Sequence, residues 1–285
     1  SPTCDGNHYD PRNVSRNEGN SLHPSLAVDN TENVHLVWAD STPGNYEILY
    51  STKSPGGNWS EPVDISNTPT ESKSPKIAID PSGNLHVVWQ EWKYEDGWIA
   101  IFYSMKQQGG NWTTPIKIST DGGQIPDIGI DASGNVHVVW LGWISYRMKS
   151  AGGSWMPKED VFQFGVNPAI AVDNQGDVHV VCDENMFGLC NIFYSTKPFG
   201  GSWTEYVNIS ESPRYSWAAD VAVDNEGSVY VVWTEEQKSM VYLSVKSLLG
   251  SWTKPDSIAN TRGRPWASHL VVGSDKSLHL VWSER

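Results

Sequence analysis

Two groups of residues in this chain carry side chains suited to chemistry on a ligand. The first is acidic: Glu91, Glu184, Glu211 and Glu235, with Asp183 beside Glu184 and Tyr215 beside Arg214. Cleaving a glycosidic bond takes two carboxylates flanking it, or a tyrosine nucleophile with an acid partner. These residues supply both kinds of group, but no motif joins any two of them. The second group is aromatic and basic. Trp92, Trp98, Trp143, Trp217 and Trp266 offer flat faces on which sugar rings stack, and Arg214, Arg262 and Arg264 offer planar forks that hold a carboxylate through two hydrogen bonds.

Composition narrows the ligand class. The chain has 285 residues, 33 acidic against 20 basic, and a formal net charge of −13. So acidic a chain lacks the basic footprint that nucleic acid or an anionic membrane surface requires. No stretch approaches the roughly 18 consecutive apolar residues of a membrane helix. Three cysteines, Cys4, Cys182 and Cys190, are too few for a disulfide scaffold and wrongly spaced for zinc. No cofactor motif is present. Fifteen tryptophans are far more than a chain of this size normally carries. Ser1 is preceded by no Met or apolar leader, and sequons occur at Asn13, Asn58, Asn111 and Asn208. Together these features suit a mature extracellular or periplasmic protein.

An internal repeat says what must position these groups. The segment Pro24 to Trp38, with Asp29 and His35 inside it, recurs as Pro75–Trp89, Pro126–Trp140, Pro168–Cys182, Ala219–Trp233 and Ser268–Trp282. The Asp positions are 29, 80, 131, 173 and 224, and Gly273 takes the sixth, giving spacings of 51, 51, 42, 51 and 49 residues. Each copy reads as two β-runs around an Asp-led hairpin turn. In five copies a second pair of β-runs follows, around a Gly-rich turn ending at Trp59, Trp112, Trp155, Trp203 or Trp252. One unit is therefore four antiparallel strands, here a to d from the axis outward, which is the size of a propeller blade. The expected fold is all-β: a single six-bladed β-propeller over residues 1–285, with units at about 17–66, 67–119, 120–162, 163–210, 211–259 and 260–285 plus 1–16. Gly6–Pro11 aligns with Gly57–Pro62, so the N-terminal segment is expected to add strand d to the last blade and close the ring. Strand c of that blade has no counterpart at either end.

The Gly-rich turn resembles the Asp-box of the BNR repeat, or sialidase-like, propellers. Ser51, Gly56, Gly57 and Trp59 match it, as do Ser195, Gly200, Gly201 and Trp203, with Lys53 or Lys197 where the motif has Asp. The resemblance covers all five complete turns and implies the propeller fold. The Arg-Ile-Pro signature of true sialidases is absent, so the resemblance does not extend to that activity.

The repeat also separates framework from site. His35, His86, His137, His179 and His279 share one position in strand b, as do the tryptophans that end it, and read as packing between blades rather than as a metal ring. The aspartates read as turn caps, and Lys53, Lys106, Lys149, Lys197 and Lys246 as a solvated face. The five remaining tryptophans fall in b–c or d–a connections, on one face of the disc, together with Arg16, Arg214, Arg262, Arg264 and Arg285. Asp40, Glu91, Glu184, Glu235 and Glu284 follow strand b on that same face. Mutual ion pairing and loop packing are the plain accounts of this set. The functional account is one asymmetric glycan site, since the candidate ligand contacts do not repeat. A glycosidase or lyase acting at the same face and a protein-binding scaffold remain alternatives, and oligomeric state is open. Finally, Cys182 ends strand b and Cys190 begins strand c of one unit, which suggests a disulfide across the hairpin mouth, with Cys4 left over.

Overall fold

The computed structural model describes residues 13–93, 97–186, 189–212, 215–235, 239–248, 250–261, 263 and 265–284. The described residues form 22 β-strands, grouped as five four-stranded antiparallel sheets and one two-stranded sheet. Sheet 1 holds β1 (Ser21–Val28), β2 (Val34–Asp40), β3 (Glu47–Lys53) and β4 (Val63–Asp64). Sheet 2 holds β5 (Ser72–Ile79), β6 (Leu85–Lys93), β7 (Trp98–Lys106) and β8 (Ile116–Lys117). Sheet 3 is β9 (Gln124–Ile130), β10 (Val136–Leu141), β11 (Ile144–Lys149) and β12 (Glu159–Phe162). Sheet 4 is β13 (Val166–Val172), β14 (Val178–Met186), β15 (Leu189–Lys197) and β16 (Val207–Asn208). Sheet 5 is β17 (Ser216–Val223), β18 (Val229–Glu235), β19 (Met240–Lys246) and β20 (Asp256–Asn260), and sheet 6 is β21 (Pro265–Val272) with β22 (Leu278–Glu284). In every sheet each strand pairs with its neighbour in sequence, so each repeat unit makes one sheet.

Two side-chain devices recur and hold each sheet. At the a–b turn the Asp80 carboxylate accepts the backbone N–H groups of Ser82 and Asn84, and its other oxygen faces His86 Nε2 at 3.3 Å. His86 Nδ1 in turn meets the Tyr103 hydroxyl at 2.8 Å, so an Asp–His–Tyr chain ties turn to third strand. Sheets 1 and 3 repeat the same Asp–His–Tyr chain; in sheet 4 His179 keeps its bond to Tyr194, while its Nε2 lies 3.6 Å from Asp173, beyond hydrogen-bond reach. In sheet 5 Tyr230 replaces His, and its hydroxyl donates directly to Asp224. At the Gly-rich turn, Ser51, Ser104, Ser195 and Ser244 each donate to the carbonyl of the residue that follows the turn tryptophan. Sheet 3 has Arg147 at that position, and its guanidinium donates to the Met156 and Ile118 carbonyls instead.

Sheets pack face to face in chain order. The cluster between sheets 1 and 2 joins Val37, Ile48 and Tyr50 to Ile77, Val87 and Trp89; equivalent clusters join sheets 2–3, 3–4 and 4–5. The turn tryptophan of each sheet meets the tyrosine of the sheet before it edge-on: Tyr50–Trp112, Tyr103–Trp155, Tyr146–Trp203 and Tyr194–Trp252, with centroids 4.9–5.2 Å apart. Each aliphatic side chain so buried contributes about 1.5–3 kcal/mol. The sixth interface differs among the described residues. Leu26 of β1 is 63 % exposed and Val281 of β22 is 69 % exposed, whereas their equivalents in the packed interfaces, Ile77 and Val37, are buried. The N-terminal strand expected to close the ring there lies outside the described residues.

Candidate functional site

The candidate site is built at the start of the inner strands. There the pairing of strand a with strand b slips, between Leu22 and Ser25, Lys73 and Lys76, Val166 and Ala169, and Trp217 and Asp220. At these slips His23, Ser74, Asn167 and Ala218 adopt left-handed backbone, as does Ile125 in sheet 3, with φ of 48–53°. Bulges of this kind re-aim side chains. Here they direct His23, Ser74, Ile125 and Asn167 into an axial cavity of about 700 Å³, whose apolar wall is Pro24, Pro75, Pro126, Val281 and Trp282. Left-handed backbone is strained for any residue but Gly, most of all for β-branched Ile125.

One residue past each proline or its equivalent lies a position that differs in every sheet but two: Ser25, Lys76, Asp127, Ala169, Asp220 and His269. These side chains link one inner strand to the next. Ser25 Oγ accepts the N–H of Ile77, Asp127 accepts that of Ile170, and Asp220 accepts that of Leu270. Lys76 Nζ lies 3.3 Å from Asp127, and His269 Nδ1 lies 3.5 Å from Asp220. Burial alone would lower the Lys76 pKa; Asp127 and Asp220 outweigh it and hold the ammonium charged. Ala169 has no acceptor to give, and Val221 N–H turns to the carboxylate of its neighbour Asp220. This axial ring escaped the reading of the sequence. Its signal was a polar, copy-by-copy variable position within an otherwise repetitive apolar strand.

At the same end of the sheets, outside the lining of the cavity, stand the predicted tryptophans. Trp98 is 67 %, Trp143 61 % and Trp92 41 % exposed, and all three lie at the b–c ends of sheets 2 and 3. Trp143 sits in a two-residue turn with φ of 57°, which turns its ring outward. Trp92 borders a cleft of about 230 Å³ with Lys73, Gln90 and Ile99. Gln90 connects this aromatic patch to the axis, because its side-chain oxygen accepts the N–H of Ile125 at 2.9 Å. Trp217 is half-buried at the start of β17 on the same end. Trp266 lies at the equivalent point of β21, and its side chain lies outside the described residues, as do Arg214, Arg262 and Arg264.

The acidic candidates are structural partners rather than an open pair. Glu91 is fully buried and accepts from Thr70 Oγ1 at 3.0 Å, and Glu235 accepts from Ser212 Oγ at 2.7 Å. Asp40 accepts from Asn17, Ser21, Thr42 and the Trp38 indole; burial pushes it up, and those donors hold it at about 2. Glu184 is the exception. It is buried, its Oε2 has no hydrogen-bond partner, and burial raises its pKa. Cys182 stands where sheets 1 and 2 have a tryptophan whose indole N–H reaches the acid two residues on, as in Trp38–Asp40 and Trp89–Glu91, and so offers Glu184 no such donor; in sheet 5 the Trp233 indole makes no hydrogen bond either. Asp183 points to the other side and joins sheets 4 and 5, accepting from Asn167 Nδ2 and from the N–H groups of Ala218 and Ala219. Burial pushes its pKa up to about 6 against those donors. Glu211 is exposed in a left-handed turn, and Tyr215 is half-buried.

The expected disulfide is corrected by the strand register. Cys182 pairs with Phe193, and Cys190 pairs with Asn185, three residues further along. An odd offset puts the two side chains on opposite faces of the sheet. Both are free and buried; burial raises the Cys190 thiol to about 12 and Cys182 likewise upward.

No family model and no curated protein matches the chain. Solved structures do. It superposes on NanB sialidase from Streptococcus pneumoniae with a TM-score of 0.64 at 10 % identity, covering 93 % of this chain and 65 % of that one. With virginiamycin B lyase from Staphylococcus aureus the TM-score is 0.62 at 11 % identity, covering 95 % and 86 %. With a protein of unknown function from Dyadobacter fermentans it is 0.64 at 11 %, covering 96 % of both chains. At these identities the likeness is one of fold: the chain has β-propeller architecture.

Proposed function

We propose that this chain is a six-bladed propeller, its ring closed by the N-terminal strand, that binds a carbohydrate at the end bearing the axial cavity. The observation that carries the reading is the outward trio Trp92, Trp98 and Trp143 on two adjacent sheets, joined through Gln90 and Ile125 to that cavity. Exposed aromatic faces beside a concave site with a few polar groups are how proteins hold sugar rings. Arg214, Arg262 and Arg264 belong to the same reading as forks for an acidic sugar. The site is single and asymmetric, because the exposed tryptophans do not recur in every sheet. A ligand of this class implies an extracellular or periplasmic setting.

A second reading, glycoside cleavage at the same end, draws on Glu184. A buried carboxyl with a raised pKa is the form a proton donor takes. Binding is favoured because Glu91 and Glu235, the other strand-end acids, are engaged in holding their sheets. A glycan array read alongside a panel of chromogenic glycosides tests both. Binding without turnover supports the first reading, turnover supports the second, and neither result on any glycan removes both.

A further inference from the structure

The opposite end of the molecule, where the a–b and c–d turns gather, carries a pair of clefts that the axial site does not use. One lies between sheets 1 and 2, with a volume of 280 Å³, and is lined by Thr31, His35, Tyr50, Ser54, Lys106 and Gln108. The other lies between sheets 2 and 3, with 390 Å³, and is lined at the equivalent positions by Ser82, His86, Lys149 and Ala151. These volumes fall at the small end of small-molecule sites, about 300–1,000 Å³. We propose that the two clefts are a repeated pair of binding sites, each for one neutral pyranose ring.

The chemistry of the walls selects that ligand. The sheet on one side presents the Asp–His–Tyr chain, with the His35 and Tyr50 rings nearly coplanar at 14°. The sheet on the other side presents a lysine. Lys106 Nζ donates to the Gly110 carbonyl, and Lys149 lies close enough to His86 to help lower its pKa, second to burial. Neither lysine forms an ion pair among the described residues. The equivalents elsewhere differ: Lys197 is paired with Glu159 at 2.8 Å, and Lys246 lies over the Tyr194 ring. Each cleft thus combines ammonium, amide or hydroxyl donors with a carboxylate acceptor beside a buried histidine. Asp29 or Asp80 in the same wall repels an anion. Hydroxyl groups, which both donate and accept, fit such a wall of donors and carboxylate acceptors.

The clefts are also distinguished by what covers them. Gln108 and Ala151 lie against Gly83 and Gly134 of their own a–b turns. Sheets 4 and 5 place the exposed, bulky Phe199 and Leu248 against the equivalent Gly176 and Gly227. The lysines without ion pairs and the small or polar turn residues therefore coincide in the same two clefts.

The test is ligand-observed NMR with the methyl glycosides of glucose, galactose, mannose and N-acetylglucosamine. It uses the whole chain, the variant Gln108→Phe/Ala151→Phe, which copies the sheet 4 arrangement, and Lys106→Ala/Lys149→Ala. At least one glycoside is expected to bind at millimolar concentration. Measured in the Trp98→Ala/Trp143→Ala background, which removes the axial tryptophans, its affinity should fall at least tenfold when either pair of cleft substitutions is added. Should the Phe variant fail to fold, the Lys variant alone decides. The proposal is overturned if none of the four glycosides binds, or if binding is indifferent to the cleft variants. Loss in the tryptophan variant only would place all binding at the axial end and leave the proposed function standing without these clefts.

Discussion

At the scale of single residues, the acids of this chain divide by environment, and their titrations carry opposite signs. Asp183 is buried between sheets 4 and 5 with its pKa raised to about 6. The folded state therefore holds a proton that the unfolded chain releases near pH 4, and stability falls as pH rises from about 4 to 6. One pKa unit corresponds to about 1.4 kcal/mol, so the term is about 3 kcal/mol. Urea denaturation of the native chain and Asp183→Asn across this range should show the native advantage shrinking with rising pH. A growing advantage would mean that the three N–H donors dominate burial. Asp80 has the reverse sign. Burial alone would raise its pKa, but Asn84 and His86 bring it below the ordinary carboxylate range. Its contribution is present above about pH 4 and lost as pH falls through its folded pKa. Asp80→Ala should cost about 1–2 kcal/mol at pH 7, as loss of a cap does, and progressively less as pH falls through the folded pKa of Asp80. Sequence spacing alone sufficed to identify the turn aspartates, because five copies repeat the same local bonds. Asp183 was not legible in that way, because its burial depends on Ala218 and Ala219 of the next sheet.

At the scale of strands, hairpin order followed from the repeat but register did not. Alternation placed Cys182 and Cys190 on neighbouring strands of one sheet, and only the residue-by-residue pairing shows them on opposite faces. Alkylation of the unreduced, denatured chain should label both Cys182 and Cys190; a peptide containing both in disulfide linkage would contradict the register. The bulges were equally hidden. Nothing in Gln124-Ile125-Pro126 announces a left-handed isoleucine, because that backbone accompanies a slip in the pairing of strand a with strand b. Left-handed conformation costs a β-branched residue about 1–3 kcal/mol, and Gly adopts it freely. Ile125→Gly should therefore match or exceed the native melting temperature although it removes a cavity-lining side chain. A fall of more than a few degrees would show that Ile125 contributes more by packing than its backbone costs.

At the scale of the whole molecule, each sheet is covered on both faces only if it has neighbours on both sides. Four interfaces have buried clusters, and Leu26 of sheet 1 and Val281 of sheet 6 mark the faces of these two sheets toward each other as open among the described residues. The proposed ring closure makes the N-terminal segment part of the core. Deleting residues 1–12 should then lower the melting temperature by about 5 °C or more, given about 2–4 °C per kcal/mol for chains of this size. An unchanged melting temperature would argue against closure by that segment. The central claim, that the tryptophan-bearing axial end binds carbohydrate, is tested most directly by isothermal titration calorimetry. The titrant is the best-binding oligosaccharide from the array, and the native chain is compared with Trp98→Ala/Trp143→Ala. Each aromatic contact of this kind contributes about 0.5–1.5 kcal/mol beyond its buried area. The account predicts a loss of affinity of at least tenfold in the double variant, with the melting temperature within 2–3 °C of the native chain, roughly the 1 kcal/mol allowed to exposed positions. Affinity equal to the native value in a folded double variant would contradict it.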